Sequence, residues 1–116
     1  MPIITIPSGT NDLPSAAGVK VPSRINGFTL TMSTVNFPTG TTIIEQWASY
    51  DGGATFVFKG GMSFTAPWVP TPKHPTSPDL VMTSGWGGDQ PSPDHIKARV
   101  TNPGTPFQSD FNVTTF

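Results

Sequence analysis

Two histidines, seven carboxylates and no cysteine make up the groups that could do acid–base or metal chemistry in this 116-residue chain. His74 lies among prolines and His95 opens an apolar stretch, and neither has a ligand-type residue two or four positions on. Asp94 is adjacent to His95, which is poor geometry for a shared metal, so solvated histidines are expected rather than a metal site. Acid–base catalysis needs two carboxylates in different environments. Glu45 shares an alternating face with Ile43 and Trp47 and is expected to be partly buried, with Arg99 or Arg24 as its counter-ion in a structural pair. Asp51, Asp79, Asp89, Asp94 and Asp110 all fall in or beside turn signals, where aspartate caps backbone N–H groups. No serine stands in a nucleophile elbow. Gly85-Trp86-Gly87-Gly88 is glycine-rich but precedes no helix, so it does not read as a phosphate cradle. The residues identify no reaction, and the expectation is a protein that is not an enzyme and holds no cofactor.

Binding is the alternative, and the aromatic residues carry it. Trp47, in the middle of an alternating stretch, is expected in the core. Trp68 and Trp86 lie in proline- and glycine-rich sequence, where they are either loop anchors or contact residues; at an interface they would be hot-spot types. The expected partner-binding residues are Trp68, Trp86, Val69, Leu80 and Leu13.

The elements that must position these groups are strands. Gly (12) and Pro (14) are abundant, and no ten-residue window shows a 3.6-residue apolar period, which is an all-β composition. Period-two strands are predicted over 3–6, 25–37, 42–50, 54–59, 80–83, 95–101 and 107–116, with a bulge near Ser33-Thr34 and a short strand possible at 19–21. Gly60-Gly61 is expected to interrupt the strand over 54–59, with Met62-Ser63-Phe64 as a possible continuation of it. Turn signals at intervals of roughly 8 to 12 residues predict one β-sandwich over residues 1–116, immunoglobulin-like in preference to a jelly roll. Residues 65–94 hold half of the prolines and read as a long loop insertion. The segment 10–24 reads as a loop or extended arm.

Composition narrows the partners. Charged residues make up 11% and the net charge is −1, so there is no basic stripe for nucleic acid and no polybasic membrane contact. No stretch approaches the roughly 18 apolar residues of a membrane helix, and residues 1–7 lack the features of a secretory signal. Protein partners are expected, with the chain made in a cytoplasm.

Ser49-Tyr50-Asp51-Gly52-Gly53-Ala54-Thr55-Phe56 fits the pattern Ser-x-Asp-x-Gly-x-Thr-aromatic and resembles the Asp-box hairpins of sialidases and related β-propellers. That resemblance covers eight residues, with Phe56 where Trp is usual. It implies a folding element in which the Asp side chain caps turn N–H groups and the aromatic packs beneath. In composition and strand pattern the whole chain resembles small β-sandwich virion proteins of tailed bacteriophages, such as capsid decoration (cement) proteins with immunoglobulin-like domains. This resemblance implies a virion protein, made in the host cytoplasm, that binds capsid subunits or copies of itself as a homo-oligomer or on the particle, with 10–24 and 65–94 as contact arms. A carbohydrate-binding module using the loop tryptophans is the second expectation, with a glycan as its ligand.

Overall fold

The computed structural model describes residues 3–34, 40–65 and 80–116. They form β1 (Ile3–Ile6), β2 (Gly9–Leu13), β3 (Val19–Lys20), β4 (Gly27–Thr34), β5 (Thr41–Ser49), β6 (Val57–Thr65), β7 (Leu80–Gly85), β8 (His95–Asn102) and β9 (Phe107–Thr115). The strands make two antiparallel sheets. Sheet A has the order β1-β9-β4-β7, and sheet B has the order β2-β8-β5-β6, with β3 also pairing with β8.

The expected single β-sandwich is therefore present, but its strand order corrects the expected subtype. An immunoglobulin domain keeps its strands in the sets ABED and CFG. Here β1, β4, β7 and β9 alternate between sheets with β2, β5, β6 and β8, so that two Greek keys interlock as in a jelly roll. Strand order depends on long-range pairing, which the local alternation of residues does not encode.

The core follows from the pleat. Phe28, Leu30 and Met32 on β4 are fully buried, as their alternation predicts, and they face Ile44 and Ala48 on β5 and Ala98 on β8. The opposite face of sheet A is polar: Thr114, Thr29 and Thr83 form one cross-strand row, with a 3.0 Å hydrogen bond between the hydroxyls of Thr29 and Thr83. Strand β5 departs from expectation. Its inward residues are Thr42, Ile44, Gln46 and Ala48, so Trp47 and Glu45 point away from the core. One phase of β5 carries Ile44 and Ala48 and the other Ile43 and Trp47, so period alone does not choose between them. Gln46 is tolerated inside because its amide is satisfied. Its Nε2 donates to Phe28 O (3.1 Å) and Met82 O (3.3 Å), and its Oε1 accepts from Ser84 Oγ (2.7 Å).

Two further expectations are corrected. Segment 10–24 is not a free arm: Gly9–Leu13 pairs with Ala98–Asn102, and Val19–Lys20 pairs with His95–Ile96, which makes it the edge of sheet B. Prolines and Asn11-Asp12 hid that strand, because an edge strand tolerates polar residues and proline better than a central one. The interruption expected at Gly60-Gly61 falls one residue earlier, and β6 continues through Met62 and Ser63 to Thr65. Lys59 is instead the extra residue of a bulge, since Gln46 pairs with Gly60 and Trp47 with Phe58. The bulge expected near Ser33-Thr34 is not at those two residues, which pair with Asp110 and Ser109 in unbroken register, and the switch to Val35 and Phe37 lies outside the described residues.

Replacing Gln46 with alanine strands two carbonyls and a hydroxyl in a buried site. The expected result is a loss of about 2–4 kcal/mol in urea unfolding with the m-value unchanged. A loss below about 0.5 kcal/mol would show that the amide does not tie the sheets together.

Candidate functional site

The outward faces of β8, β5 and β6 build the most chemically varied surface among the described residues. Cross-strand register places Asp12, Arg99 and Glu45 in one row and Lys97, Trp47 and Phe58 in the next. Asp12 joins the two cations. Its Oδ1 accepts from Arg99 Nε at 2.9 Å and its Oδ2 from Lys97 Nζ at 3.2 Å. Burial alone would raise the Asp12 carboxyl, but hydrogen bonds from Arg99 and Lys97, and their charges, outweigh it and hold the group below its ordinary range.

Lys97 is only 5% exposed although its strand face points outward. The turn after β2 folds over it, and its Nζ donates to Ala16 O at 3.2 Å. Gly18 lets that turn close: its φ is +72°, and a Cβ there would lie 2.3 Å from Ile96 O. The Phe56 ring completes the cover, with Lys97 Nζ 4.1 Å from its centroid. Arg99 lies over Trp47 at 4.7 Å, and Trp47 meets Phe58 edge-on at 5.6 Å and 77°. Phe58 is 53% exposed, and Ile43, on the same face with the Glu45 row between them, is also exposed. The result is an aromatic patch beside two cations that share the Asp12 carboxylate, with Glu45 on the same face between Ile43 and Trp47. Arg99 is thus engaged by Asp12, which is a different partner from the Glu45 that the sequence suggested.

The 49–56 hairpin consumes its acidic groups in backbone capping. Gly53 N donates to Ser49 Oγ (2.9 Å), Thr55 N donates to Asp51 Oδ1 (2.9 Å), and the Thr55 hydroxyl donates to Asp51 Oδ2. Gly52 and Gly53 both have positive φ, at 76° and 88°, which the turn requires. Gly52 N donates to Asp94 Oδ2 at 3.0 Å, while Asp94 Oδ1 meets His95 Nδ1 at 3.0 Å. The hydrogen bonds from Thr55, with that from Ser49, hold the Asp51 carboxyl down at about 2. The His95 hydrogen bond holds Asp94 below its ordinary range as well. A depressed carboxyl stays ionised, which is the wrong direction for a general acid at neutral pH.

The expected contact residues fall in several places. Trp86 is a loop anchor: its Nε1 donates to Ile25 O at 3.0 Å, its ring meets Phe28 at 6.4 Å, and Lys59 Nζ lies 5.3 Å from it. Arg24 fixes the same loop by donating to Gly88 O at 2.9 Å and Gly87 O at 3.3 Å. Leu13 packs against the core. Trp68 and Val69 lie outside the described residues, as does the side chain of Leu80, whose backbone opens β7. Sequence reading missed Trp47, Phe58 and Arg99 as a surface. Its one available signal was the outward phase shared by Lys97, Arg99 and, across the ladder, Trp47.

No family model matches the chain, and no curated protein matches it. Among solved structures it is similar to one described as the crystal structure of PirA, with 9% identity and a TM-score of 0.49 over 98% of this chain and 91% of that one.

Asp12→Ala leaves buried Lys97 without its carboxylate. Thermal or urea unfolding is expected to show a loss of about 1–2 kcal/mol, because Lys97 keeps its bond to Ala16 O. For Asp51 the folded pKa is depressed, so its stabilisation is fully present above its ordinary value of 3.8 and is lost as the pH falls to about 2. Asp51→Asn is therefore expected to lower Tm at pH 7 and to converge with the wild type toward pH 2. A constant Tm difference across that window would rule out the carboxylate as the source.

Proposed function

We propose that this chain is a non-enzymatic structural protein of assembly, a virion component such as a capsid decoration protein, and that it docks through the outer face of sheet B. One observation carries the reading: Ile43, Trp47 and Phe58 are turned outward on a sheet face whose two cations, Lys97 and Arg99, are both held by Asp12. A partner that covers this face meets cations that are already paired and needs to supply a donor only for Glu45, and tryptophan and arginine are the residues that dominate binding energy at interfaces. The acidic groups support the non-enzymatic part, since Asp12, Asp51 and Asp94 are each committed to structural hydrogen bonds. The jelly-roll order is shared by viral capsid and lectin domains, so architecture alone does not choose between a protein and a glycan partner. The site geometry favours protein. A sugar platform wants exposed, coplanar rings, whereas Trp47 and Phe58 meet at 77° and Arg99 lies over the Trp47 ring.

The test is a Trp47→Ala/Phe58→Ala double variant, measured by light scattering over a hundredfold concentration range and by co-sedimentation with capsid particles. Both side chains face away from the core, so the variant is expected to stay folded. It should remain near the monomer mass of 12.3 kDa and bind at least tenfold more weakly than wild type. Unchanged assembly and particle binding would reject this face as the contact surface. Glycan binding that depends on Trp47 would replace the protein-partner reading.

A further inference from the structure

Glu45 is the carboxylate of the sheet B face that has no cation of its own. It lies half-buried between Ile43 and Trp47 on β5, in the row that runs Asp12, Arg99, Glu45, Gly61 across the sheet. Arg99 is its cross-strand neighbour, yet the two side chains part. Arg99 turns toward Asp12, with its guanidinium over the Trp47 ring. Glu45 leans the other way, over Gly61: a Cβ at Gly61 would lie 3.3 Å from Glu45 Cγ and 3.2 Å from Phe58 Cε1. The glycine thus leaves room that the Glu45 stem and the edge of the Phe58 ring share. Among the described residues Glu45 takes part in no hydrogen bond and no salt bridge. Their other cations are placed elsewhere. Asp12 holds Lys97, Arg24 donates to the carbonyls of Gly87 and Gly88, Lys59 lies near the Tyr50 and Trp86 rings, and Lys20 lines a groove between β3 and β9.

We propose that Glu45 is the anchor for a basic side chain of the partner. An arginine or lysine flanked by apolar residues docks on this face, with its head on the Glu45 carboxylate and its stem along Phe58 and Ile43. The proposal rests on the reading of the outer face of sheet B as the contact surface, and it names what the partner carries there. Ile43 and Trp47 flank Glu45 along β5, and Phe58 stands beside it on β6, so a partner that covers the apolar residues also takes the carboxylate out of water. A covered carboxylate with no partner is costly, whereas a cation that arrives with the apolar contact makes a charge-assisted hydrogen bond. The long aliphatic stem of lysine or arginine suits the approach, because it packs on hydrocarbon while its head stays at the polar group. A second copy that meets this face with the same face brings no such group. Its Lys97 and Arg99 are held by Asp12, and its Glu45 adds a like charge to the interface. The partner is therefore a different polypeptide with an accessible basic residue.

The experiment is an NMR titration of the isotope-labelled full chain with two capped synthetic peptides, valine-arginine-valine and its citrulline counterpart. Citrulline keeps the shape of arginine without its charge. The arginine peptide is expected to shift the Glu45 carboxyl carbon and the Phe58 ring signals saturably at millimolar concentration, and the citrulline peptide to bind about fivefold more weakly. Glu45→Gln points away from the core and is expected to stay folded and to bind the two peptides alike. Equal binding of both peptides by the wild type would overturn the proposal. A preference for arginine that survives in Glu45→Gln would do the same, as would the absence of any saturable shift at Glu45. If both peptides bind equally and both are lost in Trp47→Ala/Phe58→Ala, the basic side chain is rejected while the sheet B face stands as the contact surface. Two other occupants give different results. Lys73, which lies outside the described residues, would make Glu45→Gln and Lys73→Ala lower Tm by equal and non-additive amounts in the free chain. A second copy would give a mass above 12.3 kDa that returns to the monomer value in Glu45→Gln. Either result would overturn the assignment to a different protein.

Discussion

The amide of Gln46 sets the orientation on which the rest of the molecule depends. It sits inside sheet B yet reaches two carbonyls and a hydroxyl on β4 and β7 of sheet A. A side chain with that many committed partners cannot move to solvent without leaving them unpaired in the interior. Because side chains alternate with a period of two, fixing Gln46 inward fixes Ile44 and Ala48 inward and Glu45 and Trp47 outward. The same choice passes through the ladder to β8, where Lys97 and Arg99 take the outer face and Ile96, Ala98 and Val100 enter the core. The aromatic patch is thus a consequence of one buried polar network.

Charge is scarce in this chain, and most of what is described holds structure together. Asp12 gathers Lys97 and Arg99 from a strand two residues apart in phase, and so pins the β2 edge to β8. Asp51 and Asp94 close the turn that follows β5, and Asp94 N also donates to Ser49 O, which links that turn to the approach of β8. Lys97 shows how far the packing goes: a lysine on an outward face becomes buried because a glycine-permitted turn and a phenylalanine ring cover it, while its charge keeps both a carboxylate and a carbonyl. The outer face of sheet A is rich in threonine, with Asp110 as a charged residue on it, whereas that of sheet B carries aromatic rings. That asymmetry gives the two outer faces different prospects as contact surfaces.

The β2 and β3 segments share the long edge of β8 between them, and among the described residues β1 pairs with Phe107–Asp110 of β9. A groove lies beside Val113, between β9 and the β3 edge of the facing sheet. It reaches the core because Val113 itself packs against both apolar clusters.

Much of the fold could be read from residues alone. Strands β1, β4, β8 and β9 were predicted close to their observed bounds, because Phe28, Leu30 and Met32, or Ile96, Ala98 and Val100, alternate without ambiguity. The capping role of aspartates in the 49–56 turn was legible for the same local reason: the donors and acceptors are at most four residues apart. The phase of β5 was not legible, since Ile43 with Trp47 and Ile44 with Ala48 are both plausible inward sets and the deciding partners of Gln46 are 18 to 38 residues away. The strand at Gly9–Leu13 was hidden by polar residues that an edge tolerates, and the choice of jelly roll over immunoglobulin order had no local signature at all. The sequence by itself determined the all-β class, the main strands and the turns, because these depend on alternation and on backbone preferences within a few residues. Only the tertiary structure decided which face of β5 is buried and which cations Asp12 holds, because both depend on pairings between residues far apart in the chain.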